Sequence, residues 1–239
     1  MVIEVLFPEV CGLYGDNQNA AYLKATLPNA SFHYTALDET PYFAEHEVNM
    51  ICIGAMSEDI QRRVIQKLMP LKGRILQLID AGIPILATGN AGEIFAKQID
   101  YVTEGLTAHG LGIFDLTVKT DLFDRYNGKV IGQMDDLTIV GFRSQFSFLY
   151  GDNSRCYFLR CERGDGINRG SKLEGMRKNN LICTQLIGPV LPLNPLFTEY
   201  LIGLAGISAE AAFKDAAMAA YEDRVRVFRD PNVVFGNNK

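Results

Sequence analysis

The chain has 239 residues, 48% of them hydrophobic and 21% charged, with a formal net charge of −5 and a pI near 5.3. That length supports one large α/β domain or two small ones, with a substantial buried core. No Lys/Arg cluster is interleaved with aromatic residues, which argues against nucleic acid as a partner, and no apolar run reaches membrane-spanning length.

Val2 to Phe7 is a short apolar run carrying Glu4, with no basic leader or cleavage site, so a cytoplasmic location and no membrane association are expected. It reads as a strand, followed by a loop with Gly12 and Gly15 and by Asp16, placed to cap a helix running to about Leu27. Further strands are expected at Phe32 to Ala36, Val48 to Ile53 and Pro84 to Thr88. Between the last two, Ser57 caps a helix with Ile60, Val64, Ile65 and Leu68 on one face, which breaks near Pro70 and resumes to Gly82. Strands apolar on both faces, alternating with helices, predict a mainly parallel sheet covered on both sides.

From about Gly105 the pattern becomes β-rich, with runs at Phe114 to Thr120, Lys129 to Met134, Leu137 to Phe142, Arg155 to Cys161 and Leu181 to Leu186 that could pair onto the first sheet. Helices are expected at Pro195 to Leu204 and, after Ser208, at Ala209 to Phe228. The end from about 230 carries Pro, Gly and Asn and is expected to fray. No linker interrupts the chain, so 1–239 is read as one domain.

The five cysteines, Cys11, Cys52, Cys156, Cys161 and Cys183, lack zinc-ligand spacing and read as free thiols; neither metal nor cofactor is expected. Cys52 and Cys183 lie in apolar runs, whereas Cys11, in a Gly-containing loop before a helix, remains open as a nucleophile. His33, His46 and His109 read as surface or structural residues, His109 with the better chance of lining a cleft.

The run Ile85 to Phe95, ILATGNAGEIF, is a buried strand turning abruptly into a helix. In α/β enzymes such a turn projects a nucleophile over a helix N-terminus that lowers a thiol's pKa and donates to an oxyanion. Gly89 occupies the sharp position here and has nothing to attack with.

This run resembles the Leu-Ala-x-Cys-x-Gly-x-Gln turn of class I glutamine amidotransferases, of the cobyric acid synthase-like (CobB/CobQ) branch that includes GatD-type subunits of lipid II isoglutaminyl synthase. The resemblance spans nearly the whole chain: LFPEVCGLYGDNQN, ICIGAMSEDIQ, HGLGIFDL, GKVIGQM, IVGFRSQ and LEGMRKNNLICTQLIGPVLPLNP follow the family's motifs in order. It implies a flavodoxin-like three-layer α/β/α fold. Gly89 then stands at the nucleophilic cysteine, Ala91 at the motif glycine, Glu93 at the glutamine and Ile187 at the catalytic histidine. The glycine-rich oxyanion segment has become Gly54-Ala55-Met56, and Gly-Phe-Glu-Asn-His has become Gly141-Phe142-Arg143-Ser144-Gln145. A glutaminase forms a thioester and needs an imidazole to carry protons, so the resemblance implies an amidotransferase-like protein without glutaminase chemistry.

Pocket candidates are Gly54, Ala55, Asn90, Glu93, Lys129, Arg125 and Gln145; Lys129 or Arg125 stands near the family's cleft arginine and could hold a carboxylate. Asp16 is accounted for by capping, Gly89 by a backbone needing positive φ, and Glu93 by a helix's first turn. Glu174-Gly175 could shape the pocket wall. If the resemblance extends to assembly, the partner is a MurT-like Mur ligase subunit, with a small molecule in the old glutamine pocket. Two other readings stay open: an enzyme with Cys11 as relocated nucleophile, or with new chemistry at Asp16, Glu93 or Lys129; and a self-associating structural protein that forms an oligomer.

Overall fold

The computed structural model describes residues 1–236. Its frame is a six-stranded sheet with strands in the order β13-β14-β4-β3-β1-β2, where β1 is Val2–Leu6, β2 Ser31–Thr35, β3 Met50–Ile53, β4 Ile85–Thr88, β13 Met176–Lys178 and β14 Leu181–Thr184. All neighbours pair in parallel except β13, which is antiparallel to β14. Successive residues of these strands point to opposite faces, and each face has its own core. Ile51, Ile53, Ile85, Ala87, Leu181 and Cys183 pack with Val64, Leu68, Leu78 and Ile79 of α2 (Glu58–Leu68) and α3 (Lys72–Asp80). Met50, Cys52, Leu86 and Ile182 pack with Leu23 of α1 (Gln18–Thr26) and with Phe197 and Leu201 of α5 (Pro195–Leu204). The result is three layers, α/β/α.

The cap of α2 is as expected: Ser57 accepts from the Ile60 N–H, and Glu58 and Asp59 occupy the first turn, where negative charge is favoured. Asp16 behaves differently. Asn17 occupies the cap position of α1, neither side chain caps the helix, and the Asp16 carboxylate turns inward.

The β-rich part joins the first sheet only through β13 and β14. The remaining strands build two four-stranded sheets. One has the order β10-β7-β5-β6, with β5 Ala96–Tyr101, β6 Leu106–His109, β7 Phe114–Thr120 and β10 Ser147–Tyr150. The other has the order β12-β11-β8-β9, with β8 Tyr126–Met134, β9 Leu137–Gln145, β11 Leu159–Arg163 and β12 Leu173–Glu174. The turn after β4 is a 3-10 segment, Gly89–Phe95, that runs straight into β5 instead of a longer helix. A short α4, Val190–Leu193, precedes α5, and α6 spans Lys214–Arg229, beginning five residues later than expected. The delay has a physical cause. Glu199 accepts from Ala211 N, Thr26 from Ala212 N, and Tyr22 donates to Ala212 O, so this backbone is bonded before a helix can use it.

Residues 230–236 are not loose. Arg163 donates to the Phe228, Asp230 and Val233 carbonyls, Lys129 N donates to Phe235 O, and Phe235 packs edge-on against Phe228. Over this part of the stretch expected to fray, the partly buried Arg163 collects carbonyls that a free tail would give to water; the last three positions, 237–239, lie outside the described residues.

Candidate functional site

Strand order reverses between β1 and β3, and the segments following the carboxyl ends of β1, β3, β4 and β14 converge there, as open α/β sheets arrange their ligand sites. Gly54 allows the convergence. A Cβ at 54 would lie 2.4 Å from Cys11 O and 3.1 Å from Asp16 Oδ2, so the loop after β1 can approach β3 this closely only over a glycine. Asp16, 3% exposed, ties the ends of β3 and β4 to α1: it accepts from Ala55 N (2.8 Å), Thr88 Oγ1 (2.5 Å) and Asn19 Nδ2 (2.9 Å). Burial pushes its carboxyl up to about 6, against the pull of those three donors.

The cavity at this crossing measures about 180 Å³ and is lined by Ala55, Met56, Gly89, Asn90, Glu93, Gln145, Gln185 and Ile187, with Tyr14 and Phe146 among the other walls. Gly89 keeps the strained elbow, at φ +59°, but the space for a side chain is gone. A Cβ there would lie 2.7 Å from Ala55 Cβ and 3.2 Å from Ile187 Cγ2. Ile187, 5% exposed, is held by its N–H donating to Phe142 O. In the segment after β3, which the resemblance places at an oxyanion, both N–H groups are engaged, Ala55 N with Asp16 and Met56 N with Asn90 Oδ1 at 2.9 Å. Asn90 Nδ2 returns a bond to Met56 O at 2.8 Å, closing the elbow against β3.

Glu93 is not the comfortable first-turn acid of the sequence reading. It is 2% exposed, and burial pushes its carboxyl up to about 7 although Ser147 and Gln61 donate to it. Gln61 in turn accepts from Tyr101 OH at 2.9 Å, so a buried chain runs from the cavity to β5. Behind the opposite wall, Arg143 is 2% exposed and donates to Gln145, Gln185 and the Asp165 and Gly166 carbonyls. Desolvation lowers its pKa. Glu174 does serve the wall: fully buried, it accepts from Gln185 N at 2.7 Å and from Thr184.

Of the predicted pocket residues, Ala55, Asn90, Glu93 and Gln145 line the cavity, and Gly54 lies one residue behind it. Arg125 reaches the rim, 3.2 Å from Ser144 Oγ and stacked over Phe146. Lys129 does not belong there; its Nζ donates to Val234 O at 2.8 Å, on the side where the C-terminal segment docks. His109 lines a different groove, with Tyr101 and Met69. Cys11 is no nucleophile candidate in this geometry: it is 1% exposed, its thiol faces Met56 sulfur, and burial pushes it up to about 12. Gln61, Ser147 and Gln185 were missed. Only the polar alternation at Ser144–Ser147 and a glutamine inside the apolar run ending at Ile187 could have pointed to them.

No protein-family model matches the chain. It is 29% identical over 194 residues to the GatD subunit of lipid II isoglutaminyl synthase (glutamine-hydrolyzing) from Staphylococcus aureus, covering 80% of this chain and 78% of that one. Among solved structures, a glutamine amidotransferase from Thermotoga maritima superposes with a TM-score of 0.52 at 12% identity, covering 94% of this chain and 90% of that one. PurLQS from the same organism gives 0.51 at 12%, covering 94% and 98%. A further glutamine amidotransferase gives 0.50 at 17%, covering 87% of this chain and all of that one. The chain thus has the fold of solved glutamine amidotransferases and is similar in sequence to GatD.

Proposed function

We propose that the chain is a GatD-like subunit that has lost glutamine hydrolysis and acts in the cytoplasm as the partner or regulator of a MurT-like Mur ligase subunit. One observation carries the loss of hydrolysis: the point where a nucleophile's Cβ would sit lies 2.7 Å from Ala55 Cβ and 3.2 Å from Ile187. Nucleophile, base and oxyanion donors are replaced together. Position 89 has no side chain, position 187 has no proton carrier, and the Ala55 and Met56 N–H groups are engaged internally. What persists is the scaffold around the cavity, which suits binding and assembly rather than acyl transfer. The partner role rests on the similarity to GatD, a subunit by its name. No helix among the described residues is long and apolar enough to cross a membrane.

Co-expression with a Mur ligase-type protein, followed by affinity capture and size-exclusion chromatography, tests the assembly. A stoichiometric complex that releases no ammonia from glutamine is the expected result. Failure to associate removes the partner role, and hydrolysis by the natural chain removes the loss of function.

A further inference from the structure

The strand β2 ends the six-stranded sheet and pairs only with β1. Ser31 N donates to Met1 O, and Phe7 N donates to Thr35 O. In this parallel ladder the backbone groups of Ser31, His33 and Thr35 therefore turn toward β1, and those of Phe32 and Tyr34 turn outward. Among the described residues no backbone group pairs with the outward ones. A free edge is a template for another chain, and proteins blunt it with shortness or charge. The opposite end of the same sheet is blunted in both ways, since β13 has three residues and two of them are Arg177 and Lys178. β2 is not blunted: its sequence, Ser-Phe-His-Tyr-Thr, holds no Asp, Glu, Lys, Arg or Pro. Phe32 and Tyr34 share one face with their rings stacked, centroids 6.3 Å apart, and Tyr34 keeps 45% of its surface exposed.

We infer that β2 is a self-association edge, on which β2 of a second copy of this chain pairs antiparallel about a two-fold axis at His33. With the axis there, the free groups match: Phe32 N and O meet Tyr34 O and N of the second copy, and Tyr34 meets its Phe32 in the same way. Each Phe32 ring then lies directly opposite a Tyr34 ring, the kind of cross-strand pair that stabilises sheets, and four rings join on one face. Other registers fit less well. An axis at Tyr34 sets Phe32 against Ala36, whose N–H already donates to Glu39, and an axis at Phe32 sets Tyr34 against Ala30, whose N–H already donates to Leu27 O. Charge selects a second copy as the occupant: each chain carries −5, so copies repel elsewhere, whereas this edge brings no carboxylate, lysine or arginine to the axis. A contact between two short strands falls below the roughly 1,200 Å² of stable interfaces, so the pair is a weak dimer that forms with rising concentration. β2 lies beyond β1 and contributes nothing to the cavity lining, so the dimer leaves the cavity open. The inference is independent of the Mur ligase reading and of the loss of hydrolysis.

Sedimentation velocity of the full chain from micromolar to near-millimolar concentration tests it, and a reversible monomer–dimer equilibrium is expected. Tyr34→Lys changes an exposed edge position, so circular dichroism should be unaltered, while dimer affinity should fall at least about tenfold, as edge lysines act in natural sheets. Cys156→Ser removes the partly exposed native thiol, and in that background His33→Cys should form an interchain disulfide on mild oxidation, because opposite residues of a non-hydrogen-bonded pair lie about 4.5 Å apart at Cα. Tyr34→Cys should not, since its mate in the second copy is displaced along the strand. A chain monomeric at every concentration, a dimer indifferent to Tyr34→Lys, or a disulfide at 34 in preference to 33 would each overturn the inference. Amides of Phe32 and Tyr34 protected from exchange only after a Mur ligase-type protein is added would overturn it too, by giving the edge to a different occupant.

Discussion

Placing a cysteine at Gly89 should destabilise the protein strongly unless Ala55 is reduced to glycine in the same molecule. The new Cβ would lie 2.7 Å from Ala55 Cβ, well inside the roughly 3.5–4.0 Å of an optimal carbon–carbon contact. Overpacking of this kind costs about 1–3 kcal/mol. Holding a β-carbon at φ +59° adds roughly 1–2 kcal/mol. Gly89→Cys should therefore lose about 2–5 kcal/mol, which at this chain length lowers Tm by roughly 5–15 °C. In an Ala55→Gly background the overlap disappears, and the backbone term and the softer contacts with Ile187 Cγ2 at 3.2 Å and the Cα of residue 55 at 3.4 Å remain. The double-mutant cycle should then show a favourable coupling of about 1–3 kcal/mol. The chain has 10 tyrosines and no tryptophan, so urea unfolding is followed by circular dichroism and tyrosine fluorescence. A Gly89→Cys protein as stable as the natural one, or a cost indifferent to Ala55, would refute the claim that Ala55 has filled the nucleophile's place.

Three further outcomes are expected. Burial raises Glu93 from 4.5 to about 7, so the protonated acid suits the fold; its contribution is complete below about pH 4.5 and is lost as pH rises through about 7. Relative to Glu93→Gln, the natural protein should therefore lose about 3 kcal/mol between pH 4.5 and about pH 8, measured by urea midpoints, and a slope of opposite sign would contradict the burial argument. Iodoacetamide at about pH 8 should modify the partly exposed Cys156 well before Cys11, whose thiol is buried; rapid alkylation of Cys11, read by peptide mass spectrometry, would reopen it as a nucleophile. Arg163→Ala removes contacts to three carbonyls at the end of α6 and in the C-terminal segment, so hydrogen exchange at residues 230–236 should rise by at least about tenfold, the equivalent of about 1.4 kcal/mol, while β4 stays protected.

The parallel half of the fold could be read from residues because its signals are local. Ser57 with Glu58 and Asp59 marks one helix start, and the apolar runs of β1, β3 and β4 leave no other assignment. β5 and β6 were missed because the elbow invites a helix, whereas Ala96–Tyr101 has only short alternation and becomes a strand by pairing with β6 and β7. The start of α6 was misplaced because Glu199, Thr26 and Tyr22, distant in sequence, capture the backbone of 211 and 212.

The candidate site divides in the same way. Gly89 and Ile187 were found by motif, since each departs from an otherwise faithful pattern. Asp16 was read as a cap because an acid before a helix usually is one, and its three buried donors come from the segment after β3, from β4 and from α1. Arg143, Gln185 and Ser147 acquire meaning only once β9, β10 and β14 are brought around the cavity. Tertiary placement, not residue type, makes them part of the site.

The central claim is that three coupled replacements removed the glutaminase while the scaffold stayed in place. Ammonia release from glutamine should be measured for the natural chain, for Gly89→Cys/Ile187→His, and for the same pair with Ala55→Gly, each alone and with a Mur ligase-type partner. The account predicts no release from the natural chain, little from the double variant because Ala55 still crowds the thiol, and more from the triple variant, held below full glutaminase by the N–H groups at 55 and 56 that Asp16 and Asn90 still engage. Turnover by the natural chain would contradict it.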